Sequence, residues 1–172
     1  VDFEAPPKTN FPIGSGKFPE YTTVGDAIMD LVGKENHVAN HVPLNHKPIV
    51  AARYKYVKEG CKLNLDDLPP ELAIATRRDS KTGKIVNYSH VYKRLDRNSP
   101  STTMVPGHNA FPIHPTLNRT LTAREAARIQ TFPDSHIFFG TRQEQCIQVG
   151  NAVPPKMAEP FFKKINLYLS QS

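Results

Sequence analysis

The chain has 172 residues, 38% of them hydrophobic and 22% charged, enough length and apolar content for one folded domain or one with a piece of another, which excludes wholesale disorder. No apolar run nears the roughly 18 residues that span a bilayer, and the opening VDFEAPPKTN has neither a basic n-region nor an apolar h-region, so neither membrane insertion nor secretion is expected. The formal charge is +6, and residues 53–97 hold eleven cations against six anions, a concentration that suits a polyphosphate partner or a merely solvated face.

Residues 1–20 carry Pro6, Pro7, Pro12 and Pro19 with Gly14 and Gly16, which predicts an extended connector. Thr23 then precedes Val24, Ala27, Ile28 and Leu31 at i, i+3, i+4, i+7 spacing, with Asp26 three residues after the cap and Gly33 at the stop, so a short amphipathic helix is expected. A second helix is expected from about Pro48 to Val57. Beyond an acidic, turn-rich stretch, residues 73–78 and 84–95 flank Asp79-Ser80-Lys81-Thr82-Gly83, and Val86, Tyr88, His90 and Tyr92 alternate, which predicts a basic β-hairpin.

Thr122-Ala123-Arg124-Glu125 reads as a capping box for a helix from Ala123 to about Gln130, with Leu121 stapled onto Ala126 and Pro133 stopping it. Gly150-Asn151-Ala152-Val153-Pro154-Pro155 is expected to open the last helix, whose Met157, Ala158, Phe161, Phe162, Ile165, Tyr168 and Leu169 make a wide apolar face.

Chemistry is sparse on residue patterns alone. His37, His41 and His46 stand in HVANHVPLNH, but no acidic or cysteine partner completes a metal set, so loop contacts are favoured and no metal is expected. Cys61 and Cys146 lack the basic setting of a nucleophile, are too few for a disulfide framework, and suit a reducing cytoplasm. Neither GxGxxG nor GxxxxGK[ST] occurs. The segment QVGNAVPP admits two readings, a capping turn or a ligand-facing turn with free N–H groups at a helix start.

The segment NRTLTAREAARIQTFPDSHIF from Asn118, followed by QVGNAVPPKMAEPF from Gln148, resembles the ninth and tenth conserved blocks of DNA cytosine-5 methyltransferases. YKRLDRNSPSTTMVPGHNAFPIHP resembles the end of that family's target-recognition region, and TVGDAIMDL followed by NHVANH the start of its segment after the eighth block. The family's Phe-x-Gly-x-Gly donor loop, Pro-Cys nucleophile, Glu-Asn-Val acid and Gln-x-Arg-x-Arg block have no counterpart among the 172 residues.

The resemblance implies an α+β recognition domain with the basic hairpin and irregular loops, and a C-terminal helix that packs on a Rossmann-like catalytic domain absent from this sequence. The implied division is a connector at 1–20, the recognition domain at 21–140 and a cofactor-completing segment at 141–172. In the assembled enzyme a cysteine thiolate adds to C6 of a flipped cytosine and C5 takes methyl from S-adenosylmethionine, extrusion being required because those atoms are unreachable in the stack.

No catalytic residue is assigned, and the chain alone is expected to be inactive. By similarity, Gly150, Asn151, Ala152 and Val153 belong at the S-adenosylmethionine site. Double-stranded DNA would be met by Arg77, Arg78, Lys81, Lys84, Lys93, Arg94, Arg97, Thr102 and Thr103, while Arg119, Thr122, Arg124, Glu125 and Arg128 would organise the recognition region. The partner is an N-terminal catalytic domain or a separate catalytic subunit, and the setting a restriction–modification system in bacterial cytoplasm, associated with the nucleoid. The rival readings are a non-catalytic DNA-binding module and part of an RNA cytosine-5 methyltransferase.

Overall fold

The computed structural model describes residues 5–8, 10, 12–17, 19–74, 92–106 and 111–170. Five α-helices form among them: α1 (Val24–Ile28), α2 (Pro48–Tyr54), α3 (Ala123–Ile129), α4 (Arg142–Asn151) and α5 (Pro155–Leu169), with short 3-10 turns at Met29–Leu31, Leu65–Asp67 and Pro70–Leu72. Thr23 caps α1 reciprocally with Asp26, so two otherwise orphaned N–H groups are satisfied, and Val24 and Ile28 face inward. The chain tightens into the first 3-10 turn, buries Leu31 and leaves through Gly33 at φ +81°. Proline in the first turn starts α2, where an N–H would lack an intrahelical partner anyway.

The capping box of α3 forms as the residues predict, with Thr122 Oγ1 accepting from Glu125 N at 3.1 Å and Glu125 Oε2 from Thr122 N at 2.8 Å. Ala123, Ala126 and Ala127 let this helix approach its neighbours closely, and Leu121 joins Ala126 in the main apolar cluster. That cluster draws Val24 and Ile28 from α1, Met104 and Phe111 from the intervening chain, Phe138, and Cys146 and Val149 from α4. It therefore carries across residue 140, where a domain boundary is expected. A second cluster gathers Tyr54, Val57, Tyr92 and Ile113.

Two expectations are overturned. The fold class is not α+β: among the described residues there is no strand, and extended segments meet only at isolated bridges, Lys62 with Lys93, Arg94 with Ile113 and Ile113 with Thr120. Pro112 and Pro115 flank Ile113 and have no N–H to donate, so pairing cannot propagate into a ladder. The expected hairpin falls largely on residues 75–91, outside the described residues. The second correction concerns Gly150 and Asn151, which close α4 instead of opening the last helix; α5 starts four residues after Asn151, at Pro155. Ala152 N accordingly donates to Val149 O at 3.3 Å, so the free N–H groups of a helix start are not available there.

Candidate functional site

The segment from Arg97 to Pro106 is held at three places. At its root, Gly25 N donates to Arg97 O at 2.8 Å and Val24 N to Ser99 O at 2.9 Å, so α1 grips the backbone directly. Met104, 6% exposed, anchors the middle in the main cluster. Pro106 then lies against Gly150 at the end of α4. Between these anchors Thr102 and Thr103 remain exposed.

Opposite stands the turn joining α4 to α5. Val149 is buried, its carbonyl accepts from the Gln130 side chain, and Lys156 N donates to Thr131 Oγ1 at 3.1 Å, which ties the turn to the C-terminal end of α3 on both sides. Asn151 is exposed and Val153 is 63% exposed. A cleft of about 1260 Å³ lies between these parts, lined among others by Thr102, Thr103, Met104, Arg128, Gly150, Ala152 and Met157. Of the residues expected at the cofactor, Gly150 and Ala152 share this cavity with Thr102 and Thr103, whereas Asn151 and Val153 are not among its lining residues.

The basic residues divide sharply. Arg77, Arg78, Lys81 and Lys84 lie outside the described residues. Lys93 is half-buried and pairs through its backbone. Arg94 is a correction: at 5% exposure its guanidinium donates to the carbonyls of Tyr54, Val57, His114 and Leu117, each at 2.7 Å, and to Asn118 Oδ1 at 2.8 Å. These acceptors consume its donors and leave none for a phosphate, because a rigid five-donor fork suits convergent carbonyls at the end of α2. Arg97 is exposed but forms a bidentate pair with Glu59 (2.8 and 2.9 Å), and that pairing holds the Glu59 carboxyl down at about 2.

Of the residues expected to organise the region, Thr122, Arg124 and Glu125 are buried and Arg119 and Arg128 half-buried, and all five are interlocked. Arg124, fully buried, donates to the carbonyls of Ala39 (2.9 Å), Pro133 (3.0 Å) and His136 (2.6 Å) and so fastens the loops on either side of α3. Arg119 bridges both Glu125 oxygens at 2.8 Å and reaches Glu35 at 3.2 Å. Burial alone would raise the Glu125 carboxyl, but the hydrogen bonds and charge of Arg119 outweigh it and hold the group below the usual carboxylate range. Arg128 joins Asp134 to Asp30 across α3 and the turn after α1. His41 donates from Nε2 to Leu31 O at 3.0 Å and accepts at Nδ1 from Thr122 Oγ1 at 2.8 Å, so both nitrogens are occupied by the fold.

Two parts of the site escape the sequence patterns used above. One is α4, whose signal was available as a second capping box, Thr141-Arg142-Gln143-Glu144, but whose inward residues are just Cys146 and Val149, too few for a visible period. The other is the Pro106 contact on Gly150, a long-range approach with no local mark.

The model of the C-5 cytosine-specific DNA methylase family matches residues 3–167. A Type II methyltransferase from Picosynechococcus sp., M.AquIB, is 36% identical over 145 residues, covering 77% of this chain and 91% of that protein. M1.HphI from Haemophilus parahaemolyticus is 35% identical over 81% of this chain, and M.NgoFVII from Neisseria gonorrhoeae 32% identical over 95%. The chain spans 35% and 41% of the length of these two. Among solved structures, a crystal structure described as a DNA modification methyltransferase encoded within an E. coli prophage superposes with TM-score 0.52 and 28% identity, covering 77% of this chain and 30% of that one. Enzymes of the matched family use S-adenosylmethionine. With its model matched over nearly the whole chain, the protein belongs to the C-5 cytosine-specific DNA methylase family.

Proposed function

We propose that this chain is the target-recognition and donor-completing portion of a DNA cytosine-5 methyltransferase, working with a catalytic portion that carries the cysteine block. The observation that carries this reading is α5: none of its fifteen residues is buried, and Phe162, Ile165 and Leu169, on one face at i, i+3, i+7 spacing, are 68%, 43% and 70% exposed. An apolar stripe of that extent on a helix tied at its N-terminus to the cleft calls for an apolar neighbour. The Picosynechococcus relative, a Type II methyltransferase matched over 91% of its length, is a polypeptide of about this extent, which supports a chain of this size within the family.

The residues at the turn fit the methyl donor. Gly150's open side is filled by Pro106, so that glycine does not face a ligand, whereas Asn151 presents a side-chain amide with one donor group and one acceptor, and Ala152 and Val153 supply small apolar surface beside it. When bound, S-adenosylmethionine supplies a methyl group on a sulfonium. Asn151 orients one edge of that molecule, and docking of α5 excludes water from the turn. Across the cleft, Thr102 and Thr103 offer hydroxyls to the backbone or edge of a duplex, and the cations of residues 77–84 and Lys93 supply counterion release. The Lys156 N–H on Thr131 Oγ1 ties the turn to the end of α3, and Arg128 ties α3 to Asp30 after α1. A bacterial restriction–modification setting agrees with the Type II relatives.

Methyl transfer to duplex DNA tests this directly. The chain alone should transfer nothing; joined or mixed with a catalytic portion of this family that carries the cysteine block it should transfer, and Asn151→Ala in that assembly should weaken S-adenosylmethionine binding about tenfold, the loss of one buried polar pairing. Transfer by the chain alone, or an Asn151→Ala assembly with unchanged donor affinity, overturns the reading.

A further inference from the structure

We propose that Gly150 is a positioning residue through which the recognition loop sets methyl-donor affinity: its missing side chain lets Pro106 rest on the turn that carries Asn151, so the placement of the loop on a duplex and of the turn on the donor are mechanically one variable. The inference rests on the functional reading above and goes beyond it in assigning a coupling path.

Glycine at 150 has no conformational reason. It lies in the last turn of α4 with ordinary helical geometry, where alanine would favour the helix. What glycine provides is proximity. A Cβ at this position would lie 2.4 Å from Pro106 Cα, 2.6 Å from its nitrogen and 2.9 Å from its Cβ, distances that no repacking of a flexible side chain relieves because the first two atoms are backbone. The other end of the loop repeats the device: a Cβ on Gly25 would stand 2.7 Å from Arg97 O. The loop is therefore clamped on α1 at its root, on the main cluster through Met104, and on α4 at Pro106, with Thr102 and Thr103 exposed between the clamps.

The turn itself has little freedom of its own. Gln130 holds the carbonyl of Val149, one residue before Gly150, and Thr131 holds the N–H of Lys156, while Asn151 follows the contact immediately. A displacement of Pro106 when Thr102 and Thr103 engage DNA is thus transmitted to Asn151 over one residue. Reciprocal linkage then requires that the donor tighten DNA binding by the same factor by which DNA tightens the donor.

The test uses the assembled enzyme and S-adenosylhomocysteine, the unreactive product form of the donor, titrated calorimetrically with and without a duplex that the wild-type assembly methylates. In wild type the duplex should tighten binding by a factor on the order of 10. In Gly150→Ala the loop is pushed off the turn, and the coupling factor, the ratio of affinities with and without DNA, should fall to about 1. Pro106→Gly, which introduces no clash, should lower the same factor and decides the question if Gly150→Ala fails to fold. Equal loss with and without DNA, an unchanged factor in both variants, or a wild-type factor of 1 overturns the proposal. Asn151→Ala separates the two readings: if it leaves S-adenosylhomocysteine affinity untouched, the donor-completing assignment itself fails.

Discussion

The surroundings of α3 and the length of α5 invert the usual distribution of polarity. Around α3, Arg124, Glu125, His41 and His114 are fully buried, and nearly every one of their polar atoms is met by a carbonyl, an N–H or an opposite charge from this same chain. Along α5 the polar groups are in water where they cost nothing, and it is Phe162, Leu167 and Leu169 that are stranded there. A buried charge network is tolerable because its partners are already present, whereas exposed apolar surface on a helix signals a partner that is not. The first region is a self-sufficient scaffold; the second is, on the proposed reading, half of an interface. The difference can be broken experimentally by asking which region the chain needs in order to fold.

Glu125→Ala should have the largest effect on folding. It removes the bidentate carboxylate from Arg119, 12% exposed in its side chain, leaving Glu35 as the remaining anion there, and unmakes the reciprocal cap at Thr122, leaving an N–H unpaired. Breaking one side of such a pair costs about 3–5 kcal/mol, which urea unfolding of the chain measures. A loss under about 1 kcal/mol would show that the network is ornament on an apolar core and would erase the contrast with α5.

How much of this was readable in advance follows the range of the interactions. The caps of α1 and α3 and the apolar stripe of α5 are local, set by residues within four positions of one another, and were legible. The family was legible from motif order. Arg94 was not, because an arginine among ten other cations looks like surface, and its acceptors come from residues 54, 57, 114, 117 and 118. The fold class failed among the described residues, where extended segments meet at isolated bridges and Pro112 and Pro115 have no N–H with which to extend the one on Ile113; the alternating residues, Tyr92 apart, lie outside the described residues. The contact of Gly150 was not legible either, since its neighbour lies 44 residues back at Pro106.

A smaller effect should appear with pH. His114 is fully buried, its Nδ1 accepts from Thr116 N and Leu117 N (both 3.2 Å), and Nε2 points at Glu125 Oε1 3.7 Å away, beyond hydrogen-bond length. Burial lowers its pKa to about 4, against an opposing pull from Glu125 and with help from Arg119 and Arg94. The unfolded chain takes up that proton near 6.5, so between 6.5 and about 4 the unfolded state holds more protons and stability falls with falling pH, by at most about 1.4 kcal/mol per pH unit from this group. Glu125, depressed when folded, adds a loss in the same direction further into acid. His114→Asn keeps an acceptor for the two N–H groups without a proton to gain, and should flatten the dependence between pH 6.5 and 4. An unaltered slope in urea midpoints over that window would place the titration elsewhere, with half-buried His46, also lowered by burial, as the next source.

The smallest effect on folding should come from the region with the most hydrophobic surface. Phe162→Asp puts a carboxylate on a side chain that is 68% exposed and contributes to neither apolar cluster, so the urea midpoint of the chain should move by no more than about 0.5 kcal/mol. If α5 is half of an interface, the same substitution must strand a charge against the apolar surface of the catalytic portion, and affinity for that portion should fall by about 2 kcal/mol or more, roughly thirtyfold. Sedimentation of the mixed polypeptides reads the second quantity while denaturation of the chain reads the first. A variant that loses stability and affinity together would mean that α5 is an ordinary part of this fold; a variant that loses neither would mean that its apolar stripe meets nothing, and the exposed surface would no longer argue for a partner.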